Sequence, residues 1–200
     1  MNSTLLLNIL RFISLLALQI VVFNNMTFLG FIMPLPYILF IILYPVNSNR
    51  SALIISSFAL GIIMDLFSNS GGIHTTACLI LAYYRPYLFK FAFGVSYEYQ
   101  TIKLNESLTP ERFSFIFLAV VLHHLTLFIL EAFQVSFILD ILIRSLLSTV
   151  FTIISCIIII YLIKSNKRWE NFCCLLLLLL QHPCSWFGFF ICRLSMILSN

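Results

Sequence analysis

An all-helical bundle that crosses a membrane six times is the architecture this sequence predicts, and three observations predict it. Of its 200 residues, 62% are hydrophobic and only 9% are charged, whereas a water-soluble domain is about half apolar and about a quarter charged. The mean hydropathy is +1.08, which is more apolar side chain than a chain of this length can hide in a core of its own. The apolar residues also gather into six runs close to the roughly 20 residues with which a helix crosses about 30 Å of hydrocarbon. Disorder is excluded by the same figures, because 16% aromatic content with only 6 Gly and 6 Pro leaves little that prefers to stay solvated. The net charge of +4 is small and dispersed, so it carries no footprint of nucleic-acid binding.

The six runs are Leu5–Phe23, Met26–Tyr44, Ala52–Phe67, Gly72–Phe89, Phe113–Phe133 and Leu139–Ile163. Together they form one transmembrane domain over residues 1–168. The first contains one basic residue, Arg11, and flows to Phe23 without a small-residue cleavage site, so it is a span and not a removable signal. Asn24-Asn25 turns the chain, and Pro45, Asn47, Ser48, Asn49 and Arg50 close the second run with turn formers and a charge. Within that run Pro34 and Pro36 remove two backbone donors and kink the helix where polar neighbours can compensate. Ser68-Asn69-Ser70-Gly71-Gly72 splits the third run from the fourth as a short hairpin loop. Thr109-Pro110-Glu111 sets a hydroxyl at an N-cap, proline at the first helical position and an acid in the first turn.

Orientation follows from Lys and Arg. With the N-terminus in the cytoplasm, the inner connections hold Arg50, then Arg85, Lys90, Lys103 and Arg112, then Lys164, Lys167 and Arg168. The outer connections, near Asn24, Asn69 and Gln134, hold none, which is the positive-inside distribution. Residues 169–200 are a separate hydrophobic, Cys-rich tail. Its two apolar patches, split at Pro183, are each too short to span alone and together form either a kinked seventh helix or an interfacial one. Cys173, Cys174, His182, Cys184 and Cys192 match no closed zinc spacing.

Ionisable and small residues inside the runs are the informative ones, because lipid penalises the first and lets helices meet at the second. Ser57, Gly61 and Asp65 form one stripe on the third helix, and Gly71, Thr75, Cys78, Ala82 and Arg85 one on the fourth. These two helices are expected to pack through those stripes. His74 opens the fourth helix beside Gly72. His124 and Glu131 share a face of the fifth, and Asp140, Arg144, Ser148, Thr152 and Ser155 a row on the sixth. Asp65, Glu131, Asp140 and Arg144 then lie at one level. They are either a polar site for a partner or ligand, or an internal ion pair between Asp140 and Arg144 with Asp65 capping the hairpin loop and Glu131 among headgroups. His123 and His124 are proton-relay candidates or buried hydrogen-bonded histidines. There is no Gly-rich phosphate loop, no H-E-x-x-H and no G-x-S-x-G, so the sequence offers no catalytic constellation, no metal set and no cofactor motif.

Three segments carry a family resemblance: Pro36–Pro45 (P-Y-I-L-F-I-I-L-Y-P), Gly61–His74 (G-I-I-M-D-L-F-S-N-S-G-G-I-H) and Ala82–Leu88 (A-Y-Y-R-P-Y-L). They resemble the rod shape-determining membrane protein family MreD, over about residues 1–165. The resemblance implies a non-enzymatic inner-membrane component of the bacterial elongation machinery. Its implied partners are the bitopic scaffold MreC and, through it, MreB filaments, the glycosyltransferase RodA and an elongation transpeptidase. The family's bundle is also similar to the substrate-binding membrane subunits of energy-coupling-factor vitamin transporters, which is the alternative expectation.

Overall fold

The structure, a computed structural model, describes residues 3–25, 33–46, 48–94, 109–132 and 138–165. Among the described residues every regular element is a helix: α1 (Ser3–Val21), α2 (Leu39–Ile42), α3 (Arg50–Ser68), α4 (Ile73–Phe93), α5 (Pro110–Ala132) and α6 (Ile138–Ser165), with 3₁₀ turns at Phe23–Asn25 and Pro36–Ile38. Among the described residues four helices are long and apolar enough to cross a membrane, over Leu6–Asn25, Arg50–Ser68, Pro110–Glu131 and Ile143–Tyr161. The fourth predicted run, α4, has the length at 21 residues. His74, Arg85, Lys90 and the tyrosines 83, 84 and 87 dilute its apolar character.

Helix ends follow their local chemistry. Asn49 caps α3 by accepting from Ser51 N at 3.1 Å. The same helix ends at Asn69 in the left-handed region, with φ 51°, a conformation that asparagine tolerates better than most residues. Gly71 and Gly72, at φ 64° and 102°, complete a turn that a side chain would strain. Thr109 Oγ1 accepts from Arg112 N at 3.4 Å, the N-cap that Thr109-Pro110-Glu111 predicts.

From α3 to α6 each helix runs antiparallel to the one before it, as their contacts show. Arg50 meets Tyr83 and Gly61 meets Thr75 across α3 and α4. Phe89 stacks on Phe115 at 4.1 Å, and Cys78 lies beside His123, across α4 and α5. His124 meets Thr152 across α5 and α6.

The second predicted span differs most from expectation. Its described part, Met33–Tyr44, has no long helix: the chain is irregular at 33–35, makes one 3₁₀ turn at Pro36–Ile38 and one α turn at Leu39–Ile42. Pro34 and Pro36 do more than kink a helix here, since two missing N–H groups so close together leave no ladder to propagate. Every residue from Pro34 to Tyr44 is buried. Tyr37, Ile38, Leu39 and Ile41 have no exposed surface, and Phe40 packs edge-on against Phe12 of α1 at 5.2 Å. The segment is the centre of the bundle, with α1, α4 and α6 around it. The predicted tail over 169–200, and the side chain of Asp140, lie outside the described residues.

Candidate functional site

A broken segment inside a bundle exposes backbone groups that a helix would have used internally, and at membrane depth each unsatisfied group costs several kcal/mol. Here both ends of Pro34–Tyr44 are met by side chains from surrounding helices. At the first end, Gln19 of α1, wholly buried, donates from Nε2 to Pro34 O at 3.2 Å and accepts from Tyr37 N at 3.4 Å on Oε1. Thr152 Oγ1 of α6 accepts from Leu35 N at 3.0 Å. At the other end, Arg11 Nη1 donates to Leu43 O at 2.7 Å. Arg85 Nη2 donates to Ile42 O at 3.3 Å and to Tyr44 O. Guanidinium groups at the carbonyl end of a helical turn sit where its dipole favours cations. Arg85 is buried, and its Cζ lies 4.8 Å from the centre of the Phe89 ring, so both its charge and its flat face are engaged.

In the middle of the segment Tyr37 joins three elements. Its Oη lies 2.9 Å from His74 Nδ1 on α4 and 3.0 Å from His123 Nε2 on α5. Cys78 Sγ is 4.0 Å from the same His123 nitrogen. His123 is wholly buried and its Nδ1 has no hydrogen-bond partner. His124 turns away from it, with Nδ1 3.0 Å from Val120 O and Nε2 3.2 Å from Thr152 Oγ1. The tandem histidines therefore serve two separate parts of one polar core.

The predicted seam between α3 and α4 is built as a joint. A methyl group added at Gly61 would lie 2.4 Å from Thr75 Cα and 2.9 Å from Thr75 N, so only glycine lets the two backbones approach this closely. Four residues on, the Asp65 carboxylate spans the hairpin loop. Its Oδ1 accepts from Ser70 Oγ and from His74 N at 2.9 Å. Its Oδ2 accepts from Thr75 N at 2.9 Å and from Thr75 Oγ1. Asp65 is thus the N-terminal cap of α4, supplied from the preceding helix, and it satisfies donors that α4 leaves open at its first turn.

The remaining predicted positions divide. Ser57, on the same stripe, is buried and its Oγ has no partner. Glu131 and Arg144 are both exposed and lie within Coulomb range of one another. The expected Asp140–Arg144 pair falls outside the described side chains. Gln19, Tyr37 and Arg11 are the residues that sequence reasoning did not place in a site. Each had a signal: an amide in an apolar run, a tyrosine beside two prolines, and a cation well inside the first span. Among the described residues no group of three or more His, Cys, Asp or Glu is placed to hold a metal ion.

Fold and site together define an all-helical membrane protein whose polar side chains are turned inward to hold a short, broken central segment. No family model, no curated protein and no solved structure matches the chain.

Proposed function

We propose that the protein is a non-enzymatic component of the bacterial cell-elongation complex: an MreD-like, six-span subunit of the cytoplasmic membrane that partners MreC and, through it, MreB, RodA and an elongation transpeptidase. The observation that carries this reading is where the residues of the resemblance are used. Gly61, Asp65, Gly72 and His74 close the α3–α4 joint, and Arg85 seats the end of Pro36–Pro45. A motif spent on internal joints suits a scaffold that presents fixed outer faces to neighbours. One such face is the apolar stripe Ile55, Phe58, Ile62 and Leu66 of α3, exposed from the bundle. The split of basic residues supports a cytoplasmic N-terminus, with the α3–α4 loop outside.

Affinity purification of the tagged chain from bacterial membranes tests the reading. Recovery of MreC with cell-wall synthesis proteins is the expected result. The broken segment within a polar core also favours a second reading, a substrate-binding subunit of a vitamin-type transporter, since discontinuous helices are common devices of transporters. Recovery of a paired ATPase module in place of MreC selects that alternative, and recovery of neither refutes both.

A further inference from the structure

The Tyr37–His74–His123 cluster has more partners than protons to distribute. His123 Nδ1 is fully buried and faces no hydrogen-bond partner. A bare ring nitrogen is tolerated there better than a stranded N–H, which assigns the His123 proton to Nε2, directed at Tyr37 Oη. Tyr37 then gives its single proton to His74 Nδ1, and His74 carries its own on Nε2. Each short contact has one donor and one acceptor, and the chain runs in one direction from His123 through Tyr37 to His74.

A second proton on His74 breaks this order. With Nδ1 protonated, His74 and Tyr37 present two donors to each other. Tyr37 cannot turn its proton to His123, because His123 Nε2 is also a donor. Moving the His123 proton to Nδ1 frees Nε2 but strands the Nδ1–H in the core. Swinging His74 away strands the Tyr37 hydroxyl instead. Either way one buried donor exchanges a ring nitrogen or hydroxyl for, at best, the weak sulfur acceptor of Cys78, which also touches Tyr37. His74 is only partly buried and begins α4 at the loop end, so water can deliver the proton that the interior cannot accommodate.

We propose that Tyr37, His74 and His123 form a proton-responsive latch on the central segment, in which one proton taken up by His74 loosens the seating of Pro34–Tyr44. The proton adds to a ring nitrogen of His74, its charge stays on that imidazole, and no other bond is made or broken. Titratable neighbours among the described residues are Asp65 of α3, which accepts from His74 N, Cys78 of α4, and His124 of α5. From α1 and α6 the nearby polar groups are Gln19 and Thr152, which do not titrate. This inference is independent of the cell-shape reading and holds equally for a transporter subunit.

Amide hydrogen exchange on the full-length protein in nanodiscs tests it. The reporters are Leu39 N–H, bonded to Pro36 O and Tyr37 O, and Leu43 N–H, bonded to Leu39 O at 2.8 Å. Corrected for intrinsic rates, their protection is expected to fall about 5- to 150-fold between about pH 8 and pH 5, the equivalent of one stranded donor. The midpoint should coincide with the titration of His74, followed by ¹⁵N signals of labelled histidine. His74→Gln keeps an accepting oxygen for Tyr37 without a titrating ring, and Tyr37→Phe removes the hydroxyl, so each should flatten the curve. Flat protection in the wild-type protein, a midpoint away from that of His74, or an undiminished fall in His74→Gln overturns the proposal. The first two are read on the unmodified chain, so they decide the matter even where a substitution prevents folding.

Discussion

Asp65→Asn separates a joint that needs a carboxylate from one that needs only a polar side chain. Each carboxylate oxygen accepts twice, Oδ1 from Ser70 Oγ and His74 N, Oδ2 from Thr75 N and Thr75 Oγ1. Asparagine keeps one accepting oxygen and turns an NH₂ donor to the other pair. Whichever way the amide is flipped, one of the two backbone N–H groups then faces a donor. An unsatisfied buried donor costs about 1–3 kcal/mol, and the lost charge at the start of α4 about 0.3–1 kcal/mol more. Because Asp65 is only partly buried, water recovers part of this, and the low end of the sum applies, about 1–2 kcal/mol. Asp65→Ala, which removes all four acceptor contacts, is expected to cost about 2 kcal/mol, the upper end for loss of an N-cap. Thermal unfolding of the purified protein in detergent measures both. At roughly 2–4 °C per kcal/mol for a chain of this size, Asp65→Asn should melt about 2–8 °C below wild type. An asparagine variant melting within about 1 °C of wild type would refute the two-oxygen cap.

Substitutions at three further positions probe the rest of the core. Gly61→Ala places a methyl group against the Thr75 backbone, and Gly61→Leu adds bulk that gains nothing from burial in lipid. Both should lower the folded fraction in membranes, leucine the more, as read by size-exclusion of a fluorescent fusion. Arg85→Met removes the donor to Ile42 O and Tyr44 O and should cost about 1–3 kcal/mol in thermal unfolding, while Arg85→Lys, with one ammonium in place of the planar fork, should recover only part of that loss. Thr152→Val preserves shape but takes the acceptor from Leu35 N and the partner from His124, so a melting temperature unchanged from wild type would exclude the contact at Leu35; the expected cost is about 1–3 kcal/mol.

Much of the helical layout was legible because polar stops bracket apolar runs. The third run, predicted at Ala52–Phe67, is α3 at Arg50–Ser68, and the fifth begins at the Thr109-Pro110 start signal. Gly61 was legible too, since small residues at helical spacing mark close backbone approach. The second run was not, for a physical reason: hydropathy weighs apolar content and cannot tell a segment wrapped by protein from one wrapped by lipid. Its two prolines showed that the backbone would need outside help but not from where. Gln19, Arg11, Arg85 and Thr152 lie between 15 and 117 residues from the groups they satisfy, and no local pattern encodes such pairings. Asp65 was legible as a possible cap by residue type, but the use of both its oxygens depends on how the loop folds back. The adjacent histidines were legible as polar, and only the packing shows that they belong to different hydrogen-bonded groups.

The contact between Leu35 N and Thr152 Oγ1 also bears on how the protein is made. At about 5–20 residues per second, a ribosome that has just added Leu35 needs roughly 6–23 s to reach Thr152, 117 residues later. Throughout that interval the backbone at 34–36 has no α6 to turn to, and hydrocarbon offers it no hydrogen bond. Gln19, made earlier, can already meet Pro34 O and Tyr37 N, so the Leu35 N–H is the group left without its final partner until α6 is made. The hydrogen bonding of this segment is complete only once α6 has arrived. A stalled or truncated chain ending before residue 152 would leave this segment unsettled and open to quality-control proteases.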